Sequence, residues 1–268
     1  MLSAASGLSA AEILLRHDKP LADSAVATLE SFIARRARRE PLQHILGESF
    51  FMGMRFKVSP AVLIPRPETE VLAEQALKVI NEKFGGRARM LDIGAGSGAI
   101  CLSLLQLCPG STAQALEISP EAAALCLFNA SDLQVADRLK LYTADFLAHA
   151  PDLSAIFGHH RFEIFLSNPP YIQKDAIDSL DPEVKNYEPR LALVGPGDDG
   201  LGFYRAFARH LPAIATSEES IILCEFGQGQ GEEIKTIFDQ ANWQDVSLLP
   251  DLSGMQRILM ARCPKLTL

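Results

Sequence analysis

The sequence predicts an α/β protein: a doubly wound, mostly parallel sheet closed by an antiparallel hairpin and preceded by a small helical domain. Three observations carry this. From about residue 88 to residue 241, short apolar runs rich in β-formers alternate with helix-length segments, the order of a doubly wound sheet. The first of these runs, Met90-Leu91-Asp92-Ile93, leads into the glycine-rich turn Gly94-Ala95-Gly96-Ser97-Gly98. Residues 244–249 and 256–262 then read as two closing strands, with Asp251 to Gly254 between them.

The elements follow in order. Ser9-Ala10-Ala11-Glu12 fits a capping box, so a helix opens there and runs to Pro20. Residues 22–39 read as a second helix with Val26, Leu29, Phe32 and Ile33 on one face. Arg35, Arg36, Arg38 and Arg39 close it, either as a solvated end that complements the helix dipole or as a docking patch for an acidic partner. Residues 50–58 alternate as a hairpin with its turn near Met52-Gly53. Pro65-Arg66-Pro67 is stiff, and Pro67 suits the first position of a helix to about Asn81. It is either a rigid linker or a strap over a site, with Arg66 available to a carboxylate. Phe84-Gly85-Gly86 breaks the chain. The expected domains are therefore residues 1–47 (helical), 48–86 (hairpin and linker helix) and 87–268 (the α/β domain).

Within the α/β domain, strands are expected at 88–93, 112–118, 139–142, 162–167 and 221–226. Ser119-Pro120-Glu121 combines an N-cap, a proline at N1 and an acidic first turn, so a helix follows the second strand. Further helices are expected through about Leu107, over 203–211 and to about Ala241.

The stretch with the most chemical content is Phe162 to Tyr171. A buried strand ends in Asn168-Pro169-Pro170-Tyr171. The prolines fix their own φ, remove two N–H donors and hold Asn168 extended. Such a rigid turn lies where open α/β sheets bind ligands, outside the carboxyl ends of the strands. The Pro169 carbonyl and the Asn168 side-chain carbonyl become two fixed acceptors, with the Tyr171 ring beside them. Two acceptors and a ring suit a planar –NH2 group, whose nitrogen lone pair is left free to attack an electrophilic methyl. Such hydrogen bonds strengthen as positive charge builds on nitrogen, so they favour the transition state over the ground state.

The glycine loop alone is ambiguous. Gly94, Gly96 and Ala99 match a dinucleotide fingerprint, and Glu117 lies at the ribose-binding distance. Asp92 and the extra Gly98 lean instead toward S-adenosylmethionine (SAM), whose cationic end can use a carboxylate. Glu117 can take both ribose hydroxyls. Asp145 could accept from an adenine amino group, with Phe146 stacked on the ring; a surface acid and a core aromatic are the plainer readings of that pair.

The composition bounds partners. A net charge of −8 argues against non-specific nucleic-acid binding, which needs a basic surface. The five cysteines show no paired spacing or zinc pattern, so no metal is expected and a reduced, cytoplasmic setting is the default. No signal peptide or membrane-spanning run is expected.

Taken together, Asp92 to Gly98, Glu117, Asp145 and Asn168-Pro169-Pro170-Tyr171 resemble a class I SAM-dependent amino-methyltransferase. Pro65 to Glu70, Pro41 to Gly47, Tyr187-Glu188-Pro189-Arg190 and Asp199 to Tyr204 sharpen this to a resemblance to the HemK/PrmC family, over nearly the whole chain. That resemblance implies a seven-stranded sheet whose last strand is antiparallel. It also implies methylation of the glutamine side-chain amide (N5) in the Gly-Gly-Gln motif of class 1 peptide-chain release factors. It assigns the SAM amino-acid end to Gly94, Ala95, Gly96, Ser97 and Gly98, the ribose to Glu117 and the adenine to Asp145 and Phe146. Asn168, Pro169, Pro170 and Tyr171 become the glutamine pocket, with Asn168 also near the cofactor. The N-terminal helices are expected to contact the release factor; a monomer without direct nucleic-acid contacts is expected. Gly195-Pro196-Gly197 departs from the family's Gly-Gly and bears only on loop conformation. The rival readings are an N6-adenine DNA or guanine-N2 RNA methyltransferase, an NAD-dependent oxidoreductase that leaves Asn168 to Tyr171 without a task, and a catalytically inert cofactor-binding regulator.

Overall fold

The computed structural model describes residues 1–265. Four short helices open the chain: α1 (Leu2–Ser6), α2 (Ala10–Leu15), α3 (Asp23–Ala37) and α4 (Leu42–Leu46). The capping box at Ser9 forms, with Glu12 reaching back to the Ser9 backbone. Two details depart from expectation. α2 stops at Leu15, well before Pro20, and α1 and α4 are additional. The anticipated apolar face of α3 is not a core either: Val26 is 38 % and Ile33 51 % exposed, and only Ala25 is buried. The helical layer is thin: α1 and α4 contact α3, and Leu29 and Phe32 are only half-buried.

The hairpin β1 (Glu48–Phe51) and β2 (Met54–Lys57) turns through Met52 and Gly53, both with positive φ, as a twist-matched two-residue turn requires. Its inward residues Phe51 and Phe56 are fully buried against α5 (Pro67–Phe84), which starts on Pro67 and ends at Gly85. The α/β unit then runs β3 (Arg89–Ile93), α6 (Ala99–Leu107), β4 (Thr112–Glu117), α7 (Pro120–Asp132), β5 (Leu139–Thr143), α8 (Phe146–His149), α9 (Ser154–Phe157) and β6 (Ile164–Ser167). It continues with α10 (Pro182–Tyr187), α11 (Gly202–His210), β7 (Ile221–Glu225), α12 (Gly231–Gln240), β8 (Gln244–Pro250) and β9 (Gln256–Arg262).

The main sheet has seven strands in the order β5-β4-β3-β6-β7-β9-β8. β9 alone inserts antiparallel, between β7 and β8. Because strand residues alternate faces, the sheet divides two cores. Met90, Ala113, Ile164 and Leu223 face α5 and α6, whereas Leu91, Leu116, Phe165 and Cys224 face the aromatic layer of α8, α11 and α12. Strand order reverses at β3, with β4 on one side and β6 on the other. Their carboxyl ends therefore flank a crevice, the position at which doubly wound sheets bind ligands. All five cysteines are buried and unpaired. Among the described residues no helix is long and apolar enough to cross a membrane.

The arginines that close α3 are used within the chain. Arg35 pairs with Glu40, and Arg36 and Arg39 both grip Glu183 on α10. The Tyr187 hydroxyl donates to the Arg38 carbonyl at 2.7 Å. The helical layer is thus fastened to the segment after the proline turn. This corrects the docking-patch reading for three of the four arginines.

Candidate active site

A cavity of about 480 Å³ occupies the crevice, within the range of small-molecule sites. Gly94, Ala95, Gly96 and Ser97 from the β3 loop form one wall. Glu117 at the end of β4, Asp145 and Phe146 after β5, and Asn168 and Pro170 after β6 complete the sheet side. The linker residues Leu63, Pro65 and Arg66 and the loop residues Pro189, Leu191 and Val194 cover it.

The glycine loop is held from both sides. Glu117 is 8 % exposed; its Oε2 accepts from the Gly96 N–H at 2.8 Å and its Oε1 from the Ser119 N–H at 2.9 Å. Each oxygen keeps a lone pair for a ligand. The buried Asn129 side chain donates to the Ser97 and Lys57 carbonyls and accepts from the Lys57 N–H, tying the loop to the hairpin. At Gly96, φ is +57° and an added Cβ would meet nothing, so the residue is needed for its backbone, and space remains open beside it. Gly98 is different. A Cβ there would lie 2.6 Å from Leu102 and 2.7 Å from Cys126, so it allows α6 to pack and does not line the cavity. A wide cavity, open glycines and a pre-oriented carboxylate fit a nucleoside carrying a small charged tail, as SAM does.

Asp92 lies behind this loop, 1 % exposed and outside the cavity wall. Its Oδ2 accepts from the Cys101 N–H at 3.3 Å, while Oδ1 has no partner among the described residues. Burial pushes its carboxyl up to about 6. A folded-state pKa above the unfolded value means the unfolded chain binds fewer protons between the two, so stability falls as pH rises through that window. Asp92→Asn is therefore expected to raise the cofactor-free melting temperature at pH 7.5, through about 2–3 kcal/mol, and to gain little at pH 4. Thermal melts at the two pH values check this.

Asp145 caps α8, its Oδ1 accepting from the Leu147 N–H at 2.9 Å. One oxygen is thus engaged, and the carboxylate still lines the cavity. Phe146 is 4 % exposed and packs on Phe203 and Phe207, with ring centroids 6.3 and 5.2 Å away. It is a core aromatic with one edge on the cavity, and Phe203 shares that wall. Asp145→Ala is expected to weaken SAM binding about tenfold while leaving the protein folded; titration calorimetry reads this, and unchanged affinity would count against the adenine contact expected from the sequence.

At β6 the Ser167 hydroxyl donates to the Ile93 carbonyl at 2.7 Å, stitching the start of the proline turn to the start of the glycine loop. Asn168 Nδ2 donates to Thr69 Oγ1 at 3.1 Å. Among the described residues nothing donates to Asn168 Oδ1 or to the Pro169 carbonyl. Pro169 is buried, between the wall residues Asn168 and Pro170. Tyr171 also stands outside the cavity lining. Its hydroxyl donates to Glu225 Oε1 at 3.3 Å, its ring abuts Gly227, and burial beside Glu225 pushes its phenol up. The ring is therefore directed toward the end of β7, which the sequence reading did not anticipate.

The cover is fixed by Arg66. Its guanidinium pairs at 2.5 Å with Glu188, whose side chain is 1 % exposed. The sequence left Arg66 without a partner; the partner is Glu188, 122 positions away. The loop then doubles back so that Val194 bridges Ile172. Gly195 and Gly200 meet the Pro170 and Tyr171 backbone so closely that neither position has room for a Cβ.

The fold is that of a class I methyltransferase. Residues 69–181 match the methyltransferase small domain model, and residues 1–47 match the PrmC N-terminal domain. Among solved structures, a methyltransferase from Pyrococcus furiosus aligns with a TM-score of 0.59 at 14% identity, covering 86% of this chain and 98% of that one. The hMettl16 catalytic domain bound to the MAT2A 3′UTR hairpin 6 aligns with a TM-score of 0.59 at 16% identity, covering 77% and 74%. At such identities the likeness concerns the fold alone. The release factor glutamine methyltransferase of Cereibacter sphaeroides is 41% identical over 98% of this chain and 89% of its own length. The chain belongs to the release factor glutamine methyltransferase family.

Proposed function

We propose that this chain transfers the methyl group of SAM to the side-chain amide nitrogen of the glutamine in the Gly-Gly-Gln motif of class 1 peptide-chain release factors, leaving S-adenosylhomocysteine. Family membership supports the substrate. The single structural observation that carries the chemistry is Asn168: a side chain on the cavity wall, held through its Nδ2, with no donor on its Oδ1 among the described residues.

Gly94 to Ser97 would hold the amino-acid end of SAM, Glu117 the ribose, and Asp145 with Phe146 the adenine. Bound SAM supplies a methyl group activated by its positively charged sulfur. Asn168 Oδ1 and the Pro169 carbonyl each accept one N–H of the substrate amide. An amide nitrogen is a poor nucleophile because its lone pair is delocalised. Fixed acceptors on both N–H groups grow stronger as that nitrogen becomes positive, so they lower the barrier without a prior deprotonation. The proton passes to solvent water after the new N–C bond forms, when the nitrogen has become acidic. Pro170 shapes the turn, and Tyr171 supports it from the Glu225 side.

Residues 1–47 serve as the docking domain for the release factor, 48–86 as the connection and 87–268 as the catalytic domain. The exposed Leu14, Leu15 and Ile33 of the helical layer suit an apolar contact with a protein partner. The enzyme acts as a cytoplasmic monomer without direct nucleic-acid contacts. Labelled SAM offered with a class 1 release factor, duplex DNA or structured RNA tests the substrate class. Label on the release factor alone is expected; label on nucleic acid alone would move the pocket's guest from an amide to a base amine.

A further inference from the structure

The hydrogen bonds behind Asn168 form a chain that reaches the end of β7. Asn168 Nδ2 contacts Thr69 Oγ1 at 3.1 Å, and Thr69 Oγ1 contacts Glu225 Oε2 at 2.6 Å. Tyr171 donates to the other oxygen, Oε1, at 3.3 Å. Thr69 and Glu225 are 4 % and 3 % exposed, so water does not compete for these bonds.

We infer that Thr69 and Glu225 are positioning residues that set which end of the Asn168 amide faces the substrate. The amide's two ends are nearly isosteric, so shape alone does not orient it. Proton counting does. A hydroxyl has one proton. With Glu225 ionised, that proton goes to the carboxylate, and Thr69 offers Asn168 only a lone pair. Asn168 must then point Nδ2 at Thr69 and Oδ1 away from it. The reverse orientation would set Oδ1 against the Thr69 lone pair and present an –NH2 group to the substrate's own –NH2.

The same counting gives a pH dependence. A protonated Glu225 can donate to Thr69, freeing the Thr69 proton for Asn168 Oδ1 and allowing the amide to turn over. Glu225 is faced by Thr69 and Glu68 from α5, by Tyr171 from the proline turn and by Arg257 from β9. The Tyr204 hydroxyl from α11 donates to its backbone carbonyl. Burial raises its carboxyl above the ordinary range, while Thr69, Arg257 and Tyr171 favour the ion and Glu68 opposes it. Activity therefore falls on acidification as Glu225 takes up its proton.

This role rests on the amide-methylation reading, and the two can fail separately. If wild-type enzyme transfers no label to the release factor, the substrate reading fails. The positioning role is then read on whichever amine substrate the wild type accepts. Turnover at saturating SAM is measured for Thr69→Val, Thr69→Ser and Glu225→Gln, with SAM affinity by calorimetry. Thr69→Val is expected to lose about 20-fold in kcat with SAM affinity within about twofold, and Thr69→Ser to regain most of the loss. Glu225→Gln cannot ionise, so the acid limb of the kcat profile is expected to disappear. Wild-type kcat in Thr69→Val, no rescue by serine, or an unchanged acid limb in Glu225→Gln would each overturn the proposal. Should Thr69→Val fail to fold, the Glu225→Gln profile decides.

Discussion

Asn168→Ala is expected to lower kcat by about 10²-fold or more, with SAM affinity almost unchanged. In the proposed mechanism the variant removes one of the two acceptors for the reacting amide. An oriented hydrogen bond to developing charge is worth about 3 kcal/mol in the transition state, far more than in the ground state. The turn itself should survive, because Pro169 and Pro170 still fix the backbone and Ser167 still holds the Ile93 carbonyl. Thr69 keeps its bond to Glu225, so the loss is confined to the substrate side. Single-turnover methyl transfer at saturating SAM measures the effect. Activity within a few-fold of wild type would remove Asn168 from the reaction.

Glu117→Ala should act on the other half of the site and produce a binding defect. Its carboxylate orders the glycine loop through Gly96 and the start of α7 through Ser119, and faces the cavity with what remains of its acceptor capacity. Truncation removes the proposed ribose partner and orphans the Gly96 and Ser119 N–H donors together. Each contribution is about 1–3 kcal/mol, so SAM affinity is expected to fall by about 10²-fold or more. Glu117→Gln retains one acceptor and should fall between. Calorimetry separates this from Asn168→Ala, because saturating SAM should restore much of the kcat of Glu117→Gln. Wild-type SAM affinity in Glu117→Ala would contradict the ribose assignment.

The parts of this protein that were legible in its sequence are those written in local patterns. The β3 run into Gly94 to Gly98 is an apolar strand followed by backbone-permissive residues, and the structure has a strand and a tight loop there. Pro67, Ser119-Pro120 and Gly85 mark helix ends through their own stereochemistry, and helices begin or end at each. The closing hairpin follows from two alternating runs separated by a short turn.

What was not legible depends on residues far apart in the chain. α1 and α4 are five-residue helices without a side-chain cap, too short for their periodicity to register. Thr69 and Glu225 lie 156 positions apart and look ordinary until α5 and β7 bring them together behind Asn168. The sequence places the Tyr171 ring beside the two acceptors, but which side of a proline turn it takes is decided by the pocket that Glu225 and Gly227 leave. The arginines of α3 read equally well as a surface patch or an internal clasp; Glu183 on α10 decides the matter for two of them.

The position of the transferred methyl group decides which substrate this enzyme modifies. A class 1 release factor is incubated with this enzyme and SAM carrying a heavy-isotope methyl group, then digested and fragmented by mass spectrometry. One labelled methyl is expected on the side-chain nitrogen of the Gly-Gly-Gln glutamine, absent when that glutamine is replaced by alanine and strongly reduced with Asn168→Ala. A methyl on another residue, or label that persists after the glutamine is replaced, would contradict it.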